Sequence, residues 1–295
     1  MLKATRVALG STPSSKAWVS RQLRDPYVKH RLDLRSRSAF KLLEIEAQHN
    51  FIDKPHVRGV VDLGAAPGGW SQIVSRKLGW SRERSAPMRA PSGKDLKSAS
   101  QKSTRKARVE TLDDDYDPLN IDDELHTLKG RGTIVAVDLL PMVPIPGVRT
   151  LKGDFLAPST VQKVRTLLAT SENPGGKADI ILSDMAANAS GTGVRDIQSS
   201  LDICESVYSF AARNLRSMQE TGDSWGGVLL IKYFAHPLLE DFSRENLQPN
   251  FRKVHLVKPP ASRSDSRETY FLCMGFKGGE EPTPITGSEF GLLPE

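Results

Sequence analysis

The chain carries only two cysteines, Cys204 and Cys273, among 295 residues. Two isolated thiols make neither a disulfide framework nor a metal-binding pair. Both lie in apolar stretches, where they are expected as buried small hydrophobes, and an intracellular or organellar chain is the reading that follows. No apolar run approaches the ~20 residues that cross a bilayer, so no membrane-spanning helix is expected. None of the six histidines has metal-ligand spacing, and no metal is expected. Hydrophobic residues make up 38% and aromatics 6%, enough for one core but low for a chain packed along its whole length. Acid is missing at the front: Met1 to Arg24 holds Lys3, Arg6, Lys16, Arg21 and Arg24, with no Asp or Glu before Asp25. Acid-free starts containing Arg and Ser are typical of mitochondrial transit peptides, and import into the mitochondrial matrix is expected of residues 1–24. A basic arm that holds RNA is the alternative.

What the sequence does have is an excess of cations, +6 at neutral pH. That balance fits a polyanionic partner without identifying one. Residues 25–295 read as one domain broken by an insertion. From Ser81 to Glu110 the chain is Ser-, Lys- and Arg-rich with almost no large apolar residue, and it turns acidic at Asp113 to Asp115 and at Asp122 to Glu124. Such composition cannot bury enough surface to offset its ordering entropy, so residues 81–129 are expected to be a solvated, largely disordered insertion.

The rest alternates between two periods. Ser36 to His49 places Phe40, Leu43 and Ala47 on one face, widened by Leu42 and Ile45, which predicts an amphipathic helix capped by Ser36 or Ser38. Strands are predicted at 57–63, 132–138, 148–153, 178–184, 227–232, 251–257 and 269–275, with helices over 70–78, 159–170 and 196–217. Strands alternating with helices imply a mostly parallel sheet covered on both faces. The last two strands lie close enough in sequence to end it as an antiparallel hairpin.

Ligands of such sheets bind at the carboxyl ends of the strands. There the sequence places the turn Gly64-Ala-Ala-Pro-Gly-Gly-Trp70, then Asp138, Asp154, Asp184 and Lys232. Pro67 has no N–H where a pyrophosphate would need donors, so the turn is not a dinucleotide fingerprint. Gly64, Gly68 and Gly69 let backbone approach a ligand before a helix whose N-terminus is positive. Asp138 is placed to accept from ribose hydroxyls and Asp154 from an adenine amine; a helix cap is the other reading of Asp154.

The run Asp62-Leu-Gly-Ala-Ala-Pro-Gly-Gly-Trp-Ser-Gln72 resembles the S-adenosylmethionine motif of the FtsJ/RrmJ family of RNA ribose methyltransferases. So do Asp138-Leu-Leu-Pro-Met142, Gly153-Asp-Phe155, Ser183-Asp-Met-Ala-Ala-Asn-Ala-Ser-Gly191, and Lys258-Pro-Pro-Ala-Ser-Arg263 leading to Ser266-Arg-Glu-Thr-Tyr270. The resemblance implies a Rossmann-like S-adenosylmethionine-dependent methyltransferase fold, α/β with a mostly parallel seven-stranded sheet and a terminal antiparallel hairpin. It implies S-adenosyl-L-methionine held by Gly64, Pro67, Gly68, Gly69, Trp70, Asp138, Asp154 and Asp184. It also implies a catalytic set of Lys41, Asp184, Lys232 and Glu268. The branch it is most similar to modifies a uridine of large-subunit ribosomal RNA, so the expected partner is ribosomal RNA or a pre-ribosomal large subunit.

Transfer from a sulfonium needs no metal, because the donor is already activated. What remains is a positioned, deprotonated 2′-oxygen. A lysine serves as base when burial and a second cation disfavour its charged form, and Lys41 is expected to lend that cation to Lys232. Arg35, Arg37, Arg263 and Arg267 flank the set and are candidates to grip phosphates. The sequence departs from the family pattern at Ala187, where proline is usual, and at Tyr233-Phe-Ala-His-Pro237 after Lys232. Two alternatives remain open: the same chemistry on transfer RNA or an mRNA cap, and a ribosome assembly factor whose catalysis is secondary.

Overall fold

The computed structural model describes residues 34–81, 130–186, 193–262 and 266–278. The N-terminal arm, nearly all of the expected insertion, Ala187 and Arg263 lie outside the described residues.

Seven strands form one sheet: β1 (Gly59–Leu63), β2 (Thr133–Asp138), β3 (Val148–Lys152), β4 (Ile180–Ser183), β5 (Val228–Phe234), β6 (Phe251–Val257) and β7 (Glu268–Phe276). Their order is β3-β2-β1-β4-β5-β7-β6. The first five are parallel, while β7 lies antiparallel between β5 and β6. The seven-stranded, mostly parallel sheet with a terminal hairpin is therefore as expected, and β7 inserts inside β6 rather than adding outside it. The order reverses between β1 and β4, which opens the crevice where such sheets bind ligands.

Helices cover both faces. On one lie α1 (Ser38–His49) and α2 (Gly69–Lys77); on the other lie α3 (Pro158–Leu168) and α4 (Gly193–Asn214). Strand parity sorts the two cores, because successive side chains alternate faces. Val60, Ile180, Leu182, Val228, Leu230 and Leu272 pack with α1 and α2, whereas Val61, Ile181, Leu229, Ile231, Phe271 and Cys273 pack with α4. Each fully buried aliphatic side chain of this kind contributes roughly 1.5–3 kcal/mol. Cys204 and Cys273 are both buried thiols, as expected.

Three small pieces carry no strong period and were not expected: α5 (Met218–Thr221), and α6 (Pro237–Phe242) running through a π-turn (Ser243–Leu247) into α7 (Gln248–Asn250). In α1 the cap is Arg37, without a side-chain hydrogen bond, and Ser36 and Ser38 bond to each other at 2.8 Å. Ala47 is exposed, whereas Glu44 and Glu46 are buried. The physical reason is backbone satisfaction. Glu46 accepts from Phe51 N at 2.9 Å and Ile52 N at 3.0 Å, and Glu44 accepts from Ala261 N at 2.6 Å. Buried carboxylates are tolerated where they take up N–H groups that would otherwise be orphaned.

The chain leaves α2 and re-enters β2 at one point. Arg131 N donates to Leu78 O at 2.9 Å, and Trp80 Nε1 donates to Arg131 O at 3.2 Å. The described residues on either side of 82–129 thus meet at the end of the sheet opposite the crevice.

Candidate active site

Parity also decides which strand-end residues meet α1. Lys232 follows Val228 and Leu230 on the α1 side of β5; Glu268 and Tyr270 precede Leu272 on the α1 side of β7. Asp184 continues the α1-facing series Ile180, Leu182 beyond the end of β4. Lys41 comes from α1 itself. The structure brings these residues together from four elements far apart in sequence.

Two ion pairs result. Lys232 Nζ lies 3.0 Å from Asp184 Oδ1 and also donates to the Asp184 backbone carbonyl. Lys41 Nζ lies 2.5 Å from Glu268 Oε1. Lys41 therefore gives its charge to Glu268, not directly to Lys232 as expected, because opposite charges in a poorly solvated site pair before like charges approach. Lys232 is only 9% exposed, so breaking its pair on one side costs about 3–5 kcal/mol. Burial pushes the Glu268 carboxyl up, but Lys41, Lys232 and Ser262 outweigh that and hold it below the usual carboxylate value.

Tyr270 joins the pairs. Its hydroxyl is 2.8 Å from Asp184 Oδ1 and 3.2 Å from Glu268 Oε1. One hydroxyl has one proton to donate, so the shorter bond to Asp184 is the favoured one. Burial first, and then the two carboxylates, raise this phenol well above its ordinary value, which keeps it a donor. The Trp70 ring lies 5.8 Å from that of Tyr270, and its Nε1 donates to Ser38 O at 2.9 Å. Trp70 is 2% exposed. Its side chain is thus a buried strut between α1, α2 and β7.

The glycine turn sits beside this cluster. Gly64 and Gly68 have φ of 66° and 100°, which a side chain would strain. The space beside them is taken by the protein itself: a Cβ on Gly64 would lie 2.1 Å from Met185 Cγ, and one on Gly69 would lie 2.0 Å from Ser36 Oγ. The close approach expected toward a ligand is used first for packing. Asp138 accepts from Ala66 N at 2.8 Å through one oxygen and from Leu140 N at 2.7 Å through the other. That grip fixes its carboxylate at the end of β2 with lone pairs to spare. Asp154, after β3, accepts from Leu156 N at 2.9 Å. Its Oδ2 has no partner among the described residues, and the α3 cap position is Ala157. Leu139, Leu140 and Leu156 stand exposed around the two acids.

Below the turn, Asp62 is fully buried and accepts from Ser71 Oγ at 2.6 Å. Burial, offset in part by Ser71 and reinforced by Asp184 and Asp138, pushes its carboxyl up to about 7. The flanking arginines are spoken for. Arg35 donates to Val143 O at 2.6 Å and Pro144 O at 2.5 Å, and Arg37 donates to Ala261 O at 3.0 Å. They tie the loops around the site to the start of α1. Arg267 is exposed.

Tyr270, Ser262 and Glu44 were missed by sequence reasoning. Ser262 Oγ donates to Glu268 Oε1 at 3.0 Å, and Glu44 holds the loop that carries Ser262. The signal for Tyr270 was available: two residues after Glu268 on one strand, it must share its face. The other two depend on loop paths that no period encodes. Among the described residues no group of His, Cys, Asp and Glu is arranged to hold a metal.

Comparison with known proteins places this arrangement. The family model described as FtsJ-like methyltransferase matches residues 34–276. Ribosomal RNA large subunit methyltransferase E of Afipia carboxidovorans is 37% identical over 268 residues, covering 90% of this chain and 91% of that protein. The protein of the same description from Bradyrhizobium is 36% identical over 270 residues, covering 91% and 89%. In fold, the chain is similar to a crystal structure of a Plasmodium falciparum protein assigned as a ribosomal RNA methyltransferase, with a TM-score of 0.55 and 22% identity over 83% of this chain and all of that one. With its glycine turn, strand-end acids and paired lysines inside the matched span, the chain belongs to the FtsJ-like methyltransferase family.

Proposed function

We propose that this protein transfers a methyl group from S-adenosyl-L-methionine to the ribose 2′-hydroxyl of a uridine in large-subunit ribosomal RNA, and that it does so in mitochondria. The observation that carries the chemistry is the cluster of Lys232–Asp184 and Lys41–Glu268, bridged by Tyr270, at the strand ends beside the glycine turn. The relatives' description as ribosomal RNA large subunit methyltransferase E supports the substrate. The acid-free, basic N-terminus supports the compartment.

The residues present fit the cofactor. Asp138, held by two backbone N–H groups, suits a ribose diol, and the free oxygen of Asp154 suits an exocyclic amine. Exposed Leu139, Leu140 and Leu156 give a purine apolar faces. Asp184 and the N-terminus of α2 lie on the methionine side. Bound there, S-adenosyl-L-methionine supplies a methyl already activated on a sulfonium.

The chain's own residues then handle one proton and one position. Lys232 Nζ is placed to take the 2′-proton, aimed by the Asp184 carboxylate and carbonyl together. Tyr270 keeps Asp184 in that orientation. Lys41, anchored on Glu268, presents a cation to the developing 2′-oxyanion. Alignment supplies much of the rate, since a positioned pair reacts as one molecule.

The test is methyl transfer from labelled S-adenosyl-L-methionine to large-subunit RNA lacking the modification, followed by mapping of 2′-O-methyl sites. Label at a single uridine ribose is expected. Label on a base, or on transfer RNA in preference, would overturn the substrate. A fluorescent reporter fused after residue 24 tests the compartment; cytosolic signal would contradict it.

A further inference from the structure

At the opposite end of the α1-covered face lies a cavity of about 330 Å³, far from the glycine turn. His49 at the end of α1, Lys54 and His56 in the following loop, Asp223 and Trp225 before β5, and His255 on β6 line it. Its volume matches a small-molecule pocket and excludes a helix.

Its charges are arranged unlike those of a structural cluster. The one carboxylate, Asp223, is taken by His56 at 3.1 Å. Lys54 has no acidic partner among the described residues. Arg252, on the face of β6 opposite His255, lies over the Trp225 ring at 4.5 Å, and Lys253 is exposed on the same strand. Trp225 is 43% exposed even with Arg252 over its ring, which leaves apolar surface open to solvent. The His49 and His255 rings lie 4.9 Å apart. Burial holds both below their ordinary value, helped by His255 at His49 and by Lys253 at His255. At neutral pH they are uncharged rings, and the unpaired positive charge of the lining comes from Lys54. A lysine without an acid on it, beside an indole that carries a stacked guanidinium, suits a base and its phosphate.

The cavity shares its walls with the active site. β5 carries Val228 in the cavity and Lys232 in the cluster, and α1 carries His49 and Lys41. Along β5 the two sites are about 13 Å apart. The edge strand β6 runs from one to the other with Arg252, Lys253 and His255, and Lys258 follows its end.

We propose that this cavity is a second RNA contact, which takes one unpaired nucleotide of the substrate while the target ribose lies at Lys232. The inference rests on RNA being the substrate, but it is read separately from methylation. In the full chain, 5′-UMP should quench a tryptophan signal that Trp225→Phe removes and Lys54→Ala weakens, whatever the enzyme methylates. With large-subunit RNA, Lys54→Ala and Trp225→Ala should each raise KM about tenfold, the loss expected for one charge-assisted contact or one stacked base. Saturating kcat and cofactor affinity should hold.

Three results would overturn the proposal. Inorganic phosphate quenching as well as UMP would make the cavity an anion site only. An unchanged KM in both variants would remove RNA from it. Carbodiimide cross-linking of Lys54 to Asp113–Glu124 in the RNA-free chain would assign the cavity to the chain's own acidic segment.

Discussion

At the carboxyl ends of β4 and β5 each lysine has a carboxylate on it, whereas at the far end of the same face Lys54 has none. The first arrangement fixes amines in direction and leaves the site near neutral. Its charges are satisfied before any substrate arrives, which is what a preorganised reaction centre requires. The second leaves Lys54 without an acid beside an exposed indole, which suits capture of a polyanion. The same residue types thus serve reaction at one end and attraction at the other, and pairing is what separates them.

The comparison breaks most directly at Asp184. Asp184→Asn removes the carboxylate that aims Lys232 and receives Tyr270, so kcat should fall by about three orders of magnitude. Rapid-quench turnover with saturating RNA measures it; a loss confined to KM would mean that the pair binds rather than reacts.

Next is Asp62, an acid at the reactive end with no cation on it. Its folded value near 7 lies above the ordinary 3.8. The folded chain therefore keeps a proton that the unfolded chain has released, so stability is full below about 4 and is lost as pH rises through about 7. Between pH 5 and 8 the loss is on the order of 3 kcal/mol. Urea midpoints should therefore decline less over that range in Asp62→Asn than in the parent chain. Equal declines would place the titration elsewhere.

Smallest is Tyr270→Phe, which removes a hydroxyl and no charge. Lost hydrogen bonds of this kind are worth about 1 kcal/mol, so kcat should drop roughly five- to tenfold while KM for RNA holds. An unchanged kcat would show that Lys232 alone keeps Asp184 in place.

Much of this was legible in the sequence, for stated physical reasons. Long apolar strands and the amphipathic period of α1 fix the sheet and its two faces, and the even-numbered strand ends Asp184, Lys232 and Glu268 follow by parity. Boundaries shifted where loops intervened: β5 runs on to Phe234, and β1 begins at Gly59. Ala47 was expected inside and is outside, because an apolar pattern cannot foresee that Glu44 and Glu46 are drawn in by backbone N–H groups of distant loops. Arg35 shows the same limit. From sequence it is a free cation near the site; in the fold its guanidinium is spent on the Val143 and Pro144 carbonyls. Which lysine pairs with which acid was also beyond reach, since both pairs cross elements whose spacing only packing sets. The cavity at the far end has no motif at all, since its eight polar and aromatic groups come from three separate stretches.

The central claim is that Lys232 takes the 2′-proton. Lys232→Ala, with cofactor binding checked by calorimetry, tests it in single-turnover methylation of unmodified large-subunit RNA. The account predicts unaltered cofactor affinity and a methylation rate at least a thousandfold lower, a loss of the size expected for a general base. Methylation at the parent rate with cofactor bound would contradict it.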